Sequence, residues 1–387
     1  MTKWLIRRFV PGWEEPQSPQ TRAACGALGS WVGIGVNLLL ALVKFLLGLA
    51  SGSLAIMADT VNNLSDAFGS VVSLVSIRLA QKPMDREHPF GHGRAEYIGS
   101  LVVGFLIMTL SINLLRDGIG GILRPTPLSL PPVVLVLFAL SIPTKLWLFL
   151  FYRNLGKRID SAPLLAASQD SLSDMAATAA VLLSLGLQAA FGWLTDGYIG
   201  VLVALFVFKT GFDVCKDTIG RLLGERPDPA ASRQLEEALL SYPGILGVHD
   251  LVLHDYGPGR RLASVHAEVS VKSDIVAIHE LIDRAEQEIG EKLNLALCVH
   301  MDPIVTDDET ANRVKAQLAA YLQRLDKGLS LHDFRMVPGE ERINLIFDCV
   351  LPGGYQDREG LLCGLSAYAQ TLDARYALIV RFDIQYT

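Results

Sequence analysis

Asn62-Asn63-Leu64-Ser65-Asp66 and Asp170-Ser171-Leu172-Ser173-Asp174 are two five-residue words set inside long apolar stretches. Each carries oxygen-bearing side chains at i and i+4, which on a helix stand on one face about 6 Å apart along the axis. A carboxylate at mid-bilayer costs on the order of 3 kcal/mol or more, so such residues face a cavity, a partner or an ion. Asn62 and Asp66 can reach one ion, and so can Asp170 and Asp174; two facing helices would complete a four-residue oxygen site. A single pair could equally cap a helix or bond across helices. The same spacing in two spans favours the ion. Asp59, three residues before Asn62, extends that face toward the helix end as a structural or access-path residue.

The surrounding composition sets the fold class. The chain has 387 residues, 50% of them hydrophobic, and nearly uncharged stretches dominate up to about residue 215. Ala23–Val43, Tyr97–Leu115, Pro125–Thr144 and Met175–Thr195 are charge-free and approach the ~20 residues needed to cross a bilayer. Six spans are expected, at 28–50, 54–79, 96–117, 132–152, 163–188 and 194–214. Lys and Arg gather in the N-terminal arm (Lys3, Arg7, Arg8, Arg22), after span two (Arg78, Lys82, Arg86, Arg94) and after span four (Arg153, Lys157, Arg158). That asymmetry predicts both termini in the cytoplasm. Residues 1–27 lack a signal-peptide pattern. Cys25, Cys215, Cys298, Cys349 and Cys363 are scattered without a CxxC, which suits a reducing compartment. A net charge of −6 gives no argument for nucleic acid.

The tail repeats one pattern. Val248-His249-Asp250-Leu251, Ala263–His266, a helical stretch at 275–293 and Leu297–Asp302 recur as Leu331-His332-Asp333-Phe334, Leu345–Asp348, a helical stretch at 358–372 and Leu378–Asp383, offset by 81 to 83 residues. Each copy begins with a helix (232–240 and 311–325), giving the order α-β-β-α-β, a small sheet with helices on one face. The expected fold is therefore an α-helical membrane protein with six transmembrane helices and two tandem cytoplasmic α+β domains. Its parts are an N-terminal arm (1–27), a transport domain (28–220), a metal-binding domain (221–305) and a second, degenerate copy (306–387).

Ligand chemistry points to a metal. The four intramembrane positions hold no His or Cys, and carboxylate and amide oxygens suit Mg²⁺, Ca²⁺ or Mn²⁺, whereas imidazole and thiolate favour Zn²⁺. The reading leans to Mn²⁺ as cargo, with Zn²⁺, Fe²⁺ or Cd²⁺ as alternatives. Three carboxylates in low dielectric should hold protons when metal is absent, so metal and proton binding compete. Such competition is the thermodynamic core of an antiporter. Two further clusters lie outside the spans. Asp85, His88 and His92 sit in a loop where Pro89 and two glycines form a turn able to wrap an ion; alone, such a loop is more often solvated surface. His249, His266, His279, His300 and Asp302 belong to the first tail copy, with His300 and Asp302 on one strand face. The second copy keeps His332 and Asp383 but has Asp348 and Arg381 at other positions, and reads as a worn duplicate.

These pieces together resemble the cation diffusion facilitator family. The resemblance rests on Ser53–Asp59 leading into Asn62 and Asp66, His88-Pro89-Phe90-Gly91-His92-Gly93-Arg94-Ala95-Glu96, the Asp170/Asp174 pair, Gly257-Pro258-Gly259 before His266, and Val299–Pro303. It implies a homodimeric metal/proton antiporter, six helices per protomer, and a ferredoxin-like cytoplasmic domain. It also implies a transport site at Asn62, Asp66, Asp170 and Asp174, a second site at Asp85, His88 and His92, and a regulatory tail site at the five tail residues, where metal bridges or stiffens the dimer. An Asn-xxx-Asp with an Asp-xxx-Asp resembles the manganese-type branch. The second tail copy exceeds the usual one-domain tail, and extra dimer contact is its expected role. No organic cofactor is expected. The implied location is a bacterial cell membrane. The other class of function, a membrane-anchored metal sensor or scaffold, gives the carboxylates in spans two and five nothing to do. An enzyme is disfavoured, because the chain has no P-loop and no activated Ser or Cys.

Overall fold

The computed structural model describes residues 2–11, 13, 18–51, 54–125, 127, 132–258 and 260–384. The chain divides into two compact units, Met1–Glu225 with Asp255–Arg260, and Arg226–His254 with Arg261–Thr387.

The first unit is helical. After the short α1 (Thr2–Phe9) come α2 (Pro19–Ser51), α3 (Leu54–Ala80), α4 (Ala95–Leu123), α5 (Pro132–Ile159), α6 (Ala162–Phe191) and α7 (Asp196–Leu223). Among the described residues, five of these helices, α2 and α4 to α7, are long and apolar enough to cross a membrane. α3 occupies the expected second span but falls short of that measure, because Asp59, Asn62, Asn63 and Asp66 break its apolar run. Several helices outrun the expected spans: α2 starts nine residues before position 28 and α5 continues to Ile159, ending on Lys157 and Arg158. Hydropathy marks only the lipid-crossing part, whereas backbone hydrogen bonding carries the helix on into water.

Small residues set the packing. α4 and α7 touch backbone to backbone: a Cβ on Gly197 would stand 2.5 Å from the Ile122 nitrogen, and one on Gly118 2.8 Å from the Val201 nitrogen. Close approach of this kind is how helices associate where lipid removes the hydrophobic drive. Large apolar side chains instead face outward, including Leu39, Leu49, Leu202 and Phe212. Glu96 on α4 is fully buried and takes a two-pronged bond from Arg22 on α2, 2.6 and 2.8 Å.

The second unit holds the repeat. α8 (Pro229–Leu240), β1 (Gly247–Asp255), β2 (Arg261–Ser270), α9 (Ile275–Leu293) and β3 (Ala296–Ile304) form the first copy; α10 (Glu309–Leu325), β4 (Ser330–Pro338), β5 (Ile343–Leu351), α11 (Arg358–Leu372) and β6 (Tyr376–Ile384) form the second. Each copy has a three-stranded sheet, ordered β1-β2-β3 and β4-β5-β6. The helices start on aspartate caps: Asp274 accepts from the Val276 and Ala277 amides, Asp308 from Ala311 and Asp357 from Gly360, satisfying amides that lack an intrahelical partner. The central strands alternate. β2 buries Ala263, Val265, Ala267 and Val269 under its helices, and β5 buries Leu345, Phe347, Cys349 and Leu351. The period of two sends His266 and Asp348 to the opposite faces.

Candidate metal centres

The two intramembrane words meet. α3 brings Asp66, and α6 brings Asp170 and Asp174, so that one carboxylate oxygen of each lies within 4.8 Å of the others. The Asn62 amide nitrogen donates to Asp174 Oδ1 at 3.3 Å. To offer its oxygen to a cation, that amide has to turn over. Asp66 and Asp174 are almost entirely shielded from solvent, with side chains 6% and 5% exposed. Asp59 lies on α3, but its side chain falls outside the described part of the structure.

One ligand-like residue escaped the sequence reading. Lys145 on α5 sends its ammonium into the cluster, 2.7 Å from Asp66 Oδ2, 2.6 Å from Asp174 Oδ2 and 3.1 Å from the Asn37 side-chain oxygen on α2. Pro143, two residues earlier, has no amide to give the Ala139 carbonyl, so one helical bond of α5 is missing beside the site. The signal is in the sequence: a lone lysine inside the expected span 132–152 is itself a site hypothesis. The charge-free stretch Pro125–Thr144 ends one residue before it. Three carboxylates and one ammonium leave two negative charges. A cavity of about 210 Å³ opens beside them, lined by Asn62, Lys145, Asp174 and, farther along, Lys44 and Asp196.

The loop residues also come together. His88 Nδ1 lies 3.4 Å from Asp85 Oδ1, and His92 Nε2 lies 3.5 Å from Asp85 Oδ2. Asp85 Oδ1 accepts the His88 and Glu87 backbone amides at 2.7 and 3.0 Å. The His88 amide above all, with the two imidazoles, holds the Asp85 carboxyl below its ordinary range. His92 Nδ1 is buried with no hydrogen-bond partner among the described residues.

In the tail, Asp302 is the hub. His266 Nδ1 stands 2.9 Å and His249 Nε2 3.2 Å from Asp302 Oδ2, and His300 Nε2 3.4 Å from Oδ1. The β2–β3 register puts His266 opposite His300. His279 is not part of this group in the single chain. It is exposed on α9, with Nδ1 3.6 Å from Asp283.

A family model of the cation efflux transmembrane domain matches residues 30–223, and one of the cytoplasmic domain of cation efflux proteins matches residues 227–304. The chain belongs to the cation efflux, or cation diffusion facilitator, family. It is an integral membrane transporter with divalent metal ions as substrate. It is 28% identical over 267 residues to an uncharacterized transporter of Methanocaldococcus jannaschii, covering 69% of this chain and 94% of that one. It is 29% identical over 271 residues to the cation-efflux pump FieF of Citrobacter koseri, covering 68% of this chain and 88% of the pump. FieF of Salmonella agona is 28% identical over 270 residues, with 68% and 88% covered. Both family models stop before residue 305, so the second tail copy lies beyond what this cation efflux protein shares with the family descriptions.

Proposed function

We propose that the protein exports Mn²⁺ from the cytoplasm in exchange for protons, by alternating access at Asn62, Asp66, Asp170 and Asp174. The observation that carries this reading is the charge of the buried cluster. Three carboxylates against one Lys145 ammonium leave two negative charges, which one divalent cation or two protons neutralise equally. Leaving the cluster charged and empty in low dielectric is costly, so the site exchanges one load for the other. Lys145 acts as a tethered cation that occupies Asp66 and Asp174 while metal is absent and gives way when metal arrives. The oxygen-only ligand set supports Mn²⁺ over Zn²⁺.

The protein works as a homodimer in a bacterial cell membrane with both termini cytoplasmic. Its spans rock so that the site opens to each side in turn, with Asp59 on the access path. Asp85, His88 and His92 form a cytoplasmic loop site. In the tail, His249, His266, His300 and Asp302 form the regulatory site; the buried His249 ring, whose nitrogens make no hydrogen bond among the described residues, fits a metal-ligand role. His279 joins only through a second copy of the chain. Uptake into proteoliposomes under a pH gradient, with Mn²⁺ and Zn²⁺ offered separately and together, tests this reading. Mn²⁺ flux that persists against Zn²⁺ and vanishes in Asp174→Ala supports it. Zn²⁺ flux alone removes the manganese assignment, and no flux of either metal removes the transport site.

A further inference from the structure

The second tail copy meets the first through equivalent residues. His249 and His332 occupy the same place in the repeat, and their rings stack at 4.3 Å with 29° between planes. Each is followed by an aspartate with positive φ, Asp250 at 51° and Asp333 at 49°, a conformation uncommon outside glycine and best tolerated by Asp and Asn. In β4 this is where the pairing register with β5 shifts, between His332 and Arg335, and a bulge of that kind re-aims the side chain beside it. A positive-φ aspartate thus follows each of the two stacked histidines.

What they are turned toward is a knot of ligand-type atoms. His249, Asp250 and His332 bring one ligand atom each within 4.8 Å of the others, and Asp250, Asp348 and Asp383 do the same. His332 Nε2 stands 3.5 Å from Asp250 Oδ1. The histidine side chains are only 9% and 11% exposed, and among the described residues none of their four ring nitrogens makes a hydrogen bond. A buried imidazole held for structural reasons uses at least one nitrogen, since an unmet buried polar atom is costly. Two such rings stand side by side next to three carboxylates, all offering ligand-type atoms.

We propose that the second copy completes a metal centre between the two halves of the tail, held by His249, Asp250 and His332, with Asp348 and Asp383 adding carboxylate oxygens beside Asp250. The mixed imidazole and carboxylate set takes a borderline cation of the Zn²⁺ class rather than Mn²⁺. His249 faces Asp250 through Nδ1 and Asp302 through Nε2, so with both centres filled it bridges them as an imidazolate, its ring proton released to solvent when metal binds. Asp348, raised above its ordinary range by burial and then by Asp383, would be relieved by the cation. The second copy is then no worn duplicate: it supplies, within one chain, the other half of a bridged site, and it locks the two copies together when metal is bound.

The full-length protein in detergent, stripped of metal, is titrated with Zn²⁺ alone, and bound zinc and melting temperature are read together. His332→Ala should lose about one zinc ion per chain and most of the zinc-induced rise in melting temperature attributable to the tail, with the zinc-free melting curve unchanged. Binding of as many zinc ions as in the unmodified protein, at the same affinity, would overturn the proposal. If His332→Ala disturbs the zinc-free curve, the isosteric pair Asp348→Asn/Asp383→Asn serves instead: one zinc equivalent should bind about tenfold or more weakly, and unchanged affinity overturns the proposal. Neither readout depends on transport, so loss of flux through Asp66 or Asp174 leaves the result intact.

Discussion

Lys145 Nζ lies 2.6 Å from Asp174 Oδ2 and 2.7 Å from Asp66 Oδ2, so a single ammonium on α5 bridges the two helices that carry the intramembrane carboxylates. A divalent cation entering the cluster meets a competitor already in place. Replacing Lys145 by Met should therefore tighten Mn²⁺ binding by about tenfold or more, given the size of a close charge pair even at a moderate effective dielectric. Turnover should fall, because the tethered cation no longer helps to expel the metal. Equilibrium Mn²⁺ binding and initial flux on the same preparation read both effects, and weaker binding would argue against the competitor role.

Glu96 is fully buried and depends on Arg22, with Ser161 adding a bond at 3.3 Å. Removing one partner of a buried ion pair strands the other charge. Arg22→Ala should destabilise the membrane unit by about 3–5 kcal/mol, and adding Glu96→Gln should restore much of that loss. Thermal unfolding in detergent of the single and double variants checks the pair, and simple additivity of the two changes would refute it.

Gly197 has no room for a side chain. Its Cβ would stand 2.5 Å from the Ile122 nitrogen and 2.7 Å from the Gly121 carbonyl carbon, both backbone atoms that cannot rotate away. Gly197→Val should force α4 and α7 apart at a cost of about 1–3 kcal/mol or more. Cysteine cross-linking between the two helices should fall in this variant, while Gly35→Val, where a Cβ meets nothing within 4 Å, should leave it unaltered.

Asp348 gives the metal-free tail a pH dependence of known sign. Burial and the neighbouring Asp383 and Asp333 raise its carboxyl above 3.8, against the opposing pull of His332 and Arg381; Asp250 also faces it. In the window between 3.8 and that raised value, the folded state holds more protons than the unfolded one. Stability therefore falls as pH rises through this window, and the penalty is complete above it. Asp348→Asn should flatten that part of the curve and raise stability at neutral pH when no metal is present. Chemical denaturation across the acid range measures it; a steeper curve in the variant would contradict the assignment.

Much of this was legible in the residues, for physical reasons that differ from element to element. The α-β-β-α-β order followed from short strands such as Ala263–His266 and from the recurrence of the whole pattern 81 to 83 residues later, both readable along the chain. The meeting of Asp66 with Asp170 and Asp174 followed from the cost of burying charge, which leaves few alternatives. Lys145 stands out as a lone charge in an apolar span, but its partners Asp66, Asp174 and Asn37 depend on which helices become neighbours, a tertiary fact that no spacing encodes. The pairing of His249 with His332 was hidden for the same reason, although the repeat had already aligned them. Within its own copy His332 reads as a leftover, whereas in the structure its buried ring stacks on His249 of the other copy.

The most direct test of the central claim counts charges. Reconstituted protein with an acidic lumen is given Mn²⁺ outside, and metal uptake and proton exit are recorded in the same vesicles. The cluster of Asp66, Asp170, Asp174 and Lys145 requires about two protons out for each Mn²⁺ in, a ratio that drops when Asp170→Asn removes one of the charges. Mn²⁺ uptake with no proton movement, or a ratio unaltered by that substitution, would mean that these carboxylates do not exchange one load for the other.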